Sequence, residues 1–274
     1  MIALQKTLSA AEYRRQIPPK ATNISPIDQT RARIFVDKWD DAQWELYNWM
    51  YHRLTESVDA QIGRVLTALE NAGLEENTII VFTSDHGDMN GAHGLILKGV
   101  TFEEDQRVPL IFAGKGIKRN YVDKSTLVCN GLDFLPTICD LVGIKSPKGL
   151  PGISLKPYLT GQGQQPNRKY IITENHDAYQ INDGRYKYTI YELPGHPEML
   201  TDLKTNPGET INYAKKSSYS EIKKSLNKEL MDNLSKRGLT PLLENEIKEN
   251  IPVLKNAKKP NKNGKPKLKN NIDE

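Results

Sequence analysis

The sequence predicts an α/β fold followed by a smaller antiparallel α+β part, on three observations. Apolar residues recur at three- and four-residue steps between about 41 and 71. Strand-like and helix-like runs then alternate as far as residue 141, and beyond about 160 short strands are separated by turn residues.

In chain order, residues 1–38 read as an irregular segment, because Pro18, Pro19 and Pro26 sit among scattered charges. A helix is predicted over 41–71. Tyr47, Met50, Tyr51, Leu54, Val58, Ile62, Val65, Leu66 and Leu69 share its apolar face, Asp40 or Asp41 supplies an N-cap, and Gly73 marks the stop. Residues Thr78–Thr83 are β-branched and apolar on both faces, as a central strand of a parallel sheet should be. Residues Arg107–Phe112 form a second strand, with Pro109 near an edge or bulge, and Thr126–Cys129 a third. A helix follows over Asp133–Leu141 with Pro136 in its first turn. Gly161–Pro166 reads as a linker, Tyr170–Thr173 and Arg185–Tyr191 as strands flanking a turn at Asn182-Asp183-Gly184, and 218–235 as an amphipathic helix. The expected divisions are 1–38, 39–162 for the α/β part, 163–240 for the α+β part, and a basic tail over 241–274.

Composition narrows the function class. A hydrophobic share of 37% with 26% charged residues suits a soluble globular protein, and no run of about 18 apolar residues exists to span a membrane. The net charge of +4 is local. Seven Lys against Asp273 and Glu274 give the segment from Lys255 onward +5, which leaves the rest near −1. That tail lacks the apolar residues to offset its ordering entropy, and no aromatics are interleaved to stack on bases, which argues against a nucleic-acid arm. Cys129 and Cys139 read as small core residues, and the start of the chain shows no signal peptide.

The chemistry concentrates in Ser84–Gly99, which leaves the end of the first hydrophobic strand, where α/β sheets place their ligands. Gly87, Gly91, Gly94 and Gly99 free its backbone. Asp85 and His86 can supply a hard oxygen and a neutral nitrogen to one divalent cation, and Lys98 can return as a point positive charge beside an anionic group. His93 can be a proton donor, a substrate contact or a loop brace. Asp88 reads as a turn residue. The bland alternatives are a strand-end Asp that caps a loop and a Lys that is merely solvated.

Taken in order, Val58–Leu66, Asn77–Gly87, Gly91-Ala92-His93-Gly94 with Lys98, Arg107–Leu110, Asp133–Thr137, Gly149–Leu155, Gly184–Tyr188 and Asp202–Glu209 resemble the sulfatase family over about 40–215. The resemblance implies an alkaline-phosphatase-like mixed sheet between helices with a C-terminal antiparallel subdomain. It also implies hydrolysis of sulfate esters on a sulfated small molecule or glycan. The family uses a formylglycine made from a Cys/Ser-x-Pro-x-Arg motif and a calcium ion, with Mg2+, Mn2+ or Zn2+ as less expected metals. By the resemblance Asp85 and His86 are metal ligands (many members carry Asn at the second position), Lys98 contacts the sulfate, and His93 lies on the substrate side. A full-length relative is expected to be periplasmic or extracellular.

The departures are as informative. The family's acidic strand-end ligand pair and its earlier Lys and His sulfate contacts have no counterpart. Cys129 runs into Asn130-Gly131 and Cys139 into Asp140-Leu141, so neither is the modified nucleophile. The expectation is therefore the C-terminal portion of a sulfatase, inactive alone and completed by an N-terminal fragment. The alternatives are a phosphate or phosphonate ester hydrolase of the same superfamily, or an inactive binding remnant.

Overall fold

The computed structural model describes residues 39–163, 167–175, 178–192, 198–239 and 241. The expectations for residues 1–38 and for the tail beyond Pro241 lie outside these residues.

Helix α1, Asp41–Asn71, starts at a capping box. Asp40 Oδ1 accepts from the Gln43 N–H at 2.9 Å, and Gln43 Oε1 accepts from the Asp40 N–H at the same distance. Such a cap is worth about 1 kcal/mol. Gly73, at φ 64°, ends the helix as read from the sequence. The apolar face, by contrast, is not a core face among the described residues: Met50, Leu54, Val58, Val65 and Leu66 are exposed, and Asn48 is the buried residue of the helix. Periodicity places apolar side chains on one side of a helix, but burial also needs a layer laid over that side.

Strand β1, Ile80–Thr83, pairs with β2, Leu110–Ala113. The pairing is antiparallel, from Ile80 opposite Ala113 to Thr83 opposite Leu110. The expected parallel neighbours of β1 are not found among the described residues, and its four side chains are all half-buried rather than sealed. No strand forms over Thr126–Cys129 either. There Asp123 Oδ1 accepts from the backbone N–H groups of Ser125 and Thr126, which turns the chain instead of extending it. Between β1 and β2 a short helix the sequence reading missed, α2, covers Glu103–Gln106.

Helix α3, Asn130–Leu141, begins three residues earlier than expected, so Pro136 is internal. Pro136 has no N–H for the Leu132 carbonyl, and the backbone of Gly152 packs there: a Cβ on Gly152 would sit 1.9 Å from Leu132 O. After α4, Lys156–Thr160, a four-stranded meander follows: β3 Ile171–Asn175, β4 Ala178–Asn182, β5 Tyr186–Tyr191 and β6 Glu198–Asp202, all antiparallel in that order. β3, β5 and the turn between β4 and β5 match the sequence reading; β4 and β6 were not given as strands. Helix α5, Ser220–Lys236, lies close to the expected 218–235.

Alternation along these strands gives the sheet two faces, and both are covered. Ile181, Tyr188 and Leu200 pack against Leu226, Leu230 and Leu234 of α5. Ala178, Tyr191 and Met199, on the other face, join Met89, Ala92, Leu95, Val100 and Phe102 in a second core. The segment carrying the candidate chemistry is therefore packed on the C-terminal sheet, and the two parts share buried surface.

Across the ends of β5 and β6, Arg185 holds Asp202 with Nε to Oδ1 at 3.1 Å and Nη2 to Oδ2 at 3.0 Å. The guanidinium hydrogen bonds pull the Asp202 carboxyl down to about 2. A depressed carboxylate pKa stabilises the fold above the unfolded value near 3.9, and that stability disappears as pH falls toward 2. Arg185→Met should therefore lower the melting temperature at pH 6–7, and the gap from the parent should close between about pH 4 and pH 2. A gap that stays constant across that window in a calorimetric pH series would contradict the assignment.

Candidate functional site

The site stands where β1 ends. Asn130, in the first turn of α3, donates from Nδ2 to Ser84 O at 2.6 Å and to Thr83 Oγ1 at 3.1 Å, which ties the strand end to the helix. Ser84 Oγ then donates to His86 O at 2.7 Å, closing a tight turn around Asp85. Inside that turn Asp85 Oδ1 accepts the His86 N–H at 3.0 Å, and Oδ2 turns toward the imidazole, 3.3 Å from Nε2. Desolvation pushes the Asp85 carboxyl up, but the His86 N–H bond and the adjacent imidazole outweigh it and hold the carboxyl below its ordinary value.

The tautomer of His86 follows from its partners. Nδ1 lies 2.8 Å from the Gly87 carbonyl, which can only accept, so Nδ1 carries the proton and Nε2 presents a lone pair. Lys98 Nζ lies 2.5 Å from that Nε2. Two lone-pair-bearing atoms, Asp85 Oδ2 and His86 Nε2, thus converge with an ammonium at one of them. The group is open to solvent, with 82% of the Asp85 side chain and 36% of the His86 side chain exposed. Asp85 and His86 fit as part of a donor set for a divalent cation, a hard oxygen beside an unprotonated nitrogen. Among the described residues they do not complete one, because no cluster of three or more His, Cys, Asp or Glu could hold a metal.

The structure brings three of the four sequence-predicted residues together and sets the fourth apart. His93 is fully buried, stacked on Phe102 with ring centroids 4.0 Å apart, and its Nε2 lies 3.8 Å from the Glu104 carboxylate. It adopts a left-handed φ of 56°, costly for a residue with a Cβ, which the stacking holds in place. Of the three roles the sequence left open, this placement suits the loop brace. Asp88 is a turn residue: its Oδ1 accepts the Asn90 N–H at 2.7 Å and the Tyr47 hydroxyl at 3.3 Å. Burial first, then the Asp88 charge, pushes the Tyr47 hydroxyl up to about 12.

Sequence reasoning missed Asp105. Its Oδ2 accepts the N–H groups of Gly99 at 2.7 Å and Val100 at 2.8 Å, directly after Lys98. Its backbone carbonyl accepts the Gly87 N–H at 2.6 Å, directly after His86. One residue of α2 therefore fastens both arms of the site, and burial raises its carboxyl pKa. The signal was the acidic run Glu103-Glu104-Asp105 following Phe102, which suits the first turn of a short helix. A separate groove of about 920 Å³, lined by Arg107, Tyr121, Tyr158 and Asn182 among others, does not include Asp85, His86 or Lys98.

Comparison with known proteins supplies the context. The family model described as Sulfatase matches residues 12–144, and the one described as N-sulphoglucosamine sulphohydrolase, C-terminal, matches residues 91–236. The Delta 4,5-hexuronate-2-O-sulfatase of Bacteroides thetaiotaomicron is 39% identical over 194 residues, which cover 67% of this chain and 40% of that protein. A solved 2-O GAG sulfatase superposes with a TM-score of 0.68 at 34% identity, covering 78% of this chain and 49% of its own. The phosphonate monoester hydrolase of Agrobacterium radiobacter gives a TM-score of 0.65 at 27% identity, covering 73% and 43%. The chain thus spans less than half the length of each of these proteins.

Proposed function

This chain belongs to the sulfatase family and has its alkaline-phosphatase-like fold, and we propose that it supplies part of the site of a sulfate ester hydrolase acting on a sulfated sugar. The observation that carries the proposal is the convergence of Asp85 Oδ2 and His86 Nε2 at 3.3 Å with Lys98 Nζ at 2.5 Å from the imidazole.

In this reading Asp85 and His86 are two ligands of a divalent cation, calcium by preference, which would take the His86 Nε2 lone pair from Lys98 and be completed by groups outside the described residues. When bound, the metal would neutralise and orient the sulfate oxygens. Lys98, exposed and long, binds a sulfate oxygen as a point charge and stabilises the charge that grows on the ester oxygen as the S–O bond breaks. Two protein ligands alone hold calcium weakly, since it takes six to eight oxygens. The formylglycine of the family has no precursor at Cys129 or Cys139, neither of which is followed by x-Pro-x-Arg, so covalent catalysis needs another segment. The exposed stripe on α1 and the partial coverage of the relatives support a complementary segment that supplies it. The sulfated-glycan substrate rests on the named activities of the relatives.

The test is ion binding to the full chain, read on the His86 resonances and by calorimetry. Calcium should perturb His86 in the parent and not in Asp85→Asn. Inorganic sulfate should bind weakly, and Lys98→Ala should weaken it about tenfold, about 1.4 kcal/mol. No 4-nitrophenyl sulfate should be turned over. If neither ion perturbs His86, or the chain alone cleaves the ester, the proposal fails. The likeness to the phosphonate hydrolase supports a second reading, in which phosphate displaces sulfate from Lys98 at equal concentration.

A further inference from the structure

Lys187, on β5, points at the segment 99–104 rather than at α5, and it is 1% exposed. An ammonium so placed must be paired, because burying it alone costs several kcal/mol. Its Nζ lies 3.0 Å from Glu103 Oε1 and 2.9 Å from Glu209 Oε1, and Glu209 is 2% exposed. Glu209 Oε2 also accepts the Glu103 N–H at 2.7 Å, across 106 residues of sequence, while its Oε1 accepts the Thr201 hydroxyl at 3.2 Å. The C-terminal sheet thereby grips the first residue of α2 by both backbone and side chain. Two residues later Asp105 holds the Gly99, Val100 and Gly87 N–H groups. Hydrogen bonds at Glu103 and at Asp105, joined by the backbone of α2, therefore link β5 to the backbone on either side of the His86–Lys98 contact.

We propose that Lys187 and Glu209 are positioning residues for the His86–Lys98 pair, acting through α2. The role rests on the proposed function only in taking that pair as the site. The Lys187 cation pairs with both Glu103 and Glu209 and sets where α2 sits; α2 sets the separation of the two arms; and that separation decides whether the Lys98 ammonium reaches His86 Nε2. The C-terminal sheet is then part of the machinery of the site, not only its support.

The experiment uses the full chain labelled with 15N-histidine. Parent, Lys187→Met, Glu209→Gln and a control, Lys223→Met, are compared at one pH. Lys223 pairs with Glu198 at 2.7 Å on the α5 side of the sheet, so its loss touches the fold but not this network. In the parent His86 should show the Nδ1–H tautomer, with two well separated nitrogen shifts. In Lys187→Met the Nε2 shift should move as Lys98 leaves that nitrogen, while the Gly87 carbonyl keeps the proton on Nδ1. Glu209→Gln keeps an oxygen for the Glu103 N–H and should move it less, and Lys223→Met should not move it. If Lys187→Met melts cooperatively and its His86 shifts match the parent's, the proposal is overturned. Should Lys187→Met fail to fold, Glu209→Gln decides on the same criterion. Calcium and inorganic sulfate are titrated in parallel: shifted His86 signals in variants of a parent that binds neither ion uphold the positioning role and sink the hydrolase reading. Unshifted signals in variants of a parent that binds either ion do the reverse.

Discussion

Asp133→Ala should be among the most destabilising single substitutions in the chain, by about 3–5 kcal/mol, because it strips the partner from a cation whose side chain is only 12% exposed. Asp133 is fully buried in the first turn of α3. Its Oδ1 accepts from Arg168 Nη2 at 2.6 Å and from the Ile153 N–H at 2.9 Å, and its Oδ2 from Arg168 Nη1 at 2.7 Å and the Cys129 N–H at 2.8 Å. Removing the carboxylate leaves two N–H groups unpaired and takes the two short bonds from a guanidinium that keeps its 3.4 Å bond to the Leu127 carbonyl. The hydrogen bonds that Arg168 donates to Asp133 are also what raise the Arg168 pKa. Asp133→Asn keeps one oxygen but turns an amide NH2 toward donors, so it should fall between alanine and the parent. The loss should reach the site, since Asn130 of the same helical turn holds Ser84. Urea unfolding of the three proteins would measure it. A midpoint for Asp133→Ala within error of the parent would mean that the pair contributes nothing.

How much of this was legible in the sequence depends on the range of the interaction. The N-cap of α1, narrowed to Asp40 or Asp41, the turn between β4 and β5 and the turn role of Asp88 are set by residues a few positions apart, and each was readable. The closeness of Asp85, His86 and Lys98 was readable too, because all three come from one glycine-rich segment. What misled was long-range. Along β4, β5 and β6 the residues Gln180, Lys187, Thr189 and Thr201 look like a solvent face, the polar half of an alternating strand. All four are buried, because the segment 89–104 lies on them and supplies partners. Gln180 donates to the Thr101 carbonyl at 3.0 Å, and Lys187 meets Glu103. No window of sequence shows that a strand eighty residues later will cover a loop. The same blindness works in reverse on α1, where a strong apolar stripe stays exposed. Among the described residues Thr78–Thr83 meets an antiparallel partner and no parallel one, and the sequence could not name that partner for a related reason. A β-branched run reports that a strand prefers burial, not which strand sits beside it.

Gly87 offers the sharpest test of the idea that the two arms of the site are set by their closeness to α2. A Cβ built on Gly87 would lie 1.9 Å from the Glu104 carbonyl oxygen and 3.0 Å from its carbon. Both are backbone atoms, so no side chain can swing away to make room. Relief requires the Gly87 segment and α2 to separate, which breaks the bond from the Gly87 N–H to Asp105 O at 2.6 Å. Gly87→Ala should therefore cost roughly 1–3 kcal/mol or more, the range for forced overpacking. It should also move the His86 resonances, because His86 is the preceding residue. Two other glycines separate this cause from the general effect of adding a methyl group. Gly63, inside α1 with nothing within 4 Å, should gain about 0.5–1 kcal/mol as alanine. Gly99 has open space but a φ of 92°, so its alanine variant should lose about 1–2 kcal/mol from backbone strain without any clash. The expected order of midpoints in urea is Gly63→Ala above the parent, then Gly99→Ala, then Gly87→Ala, with Gly87→Ala causing the larger change at His86. Were Gly87→Ala to melt with the parent and leave His86 unmoved, contact with α2 would not be what holds Asp85 and His86 against Lys98.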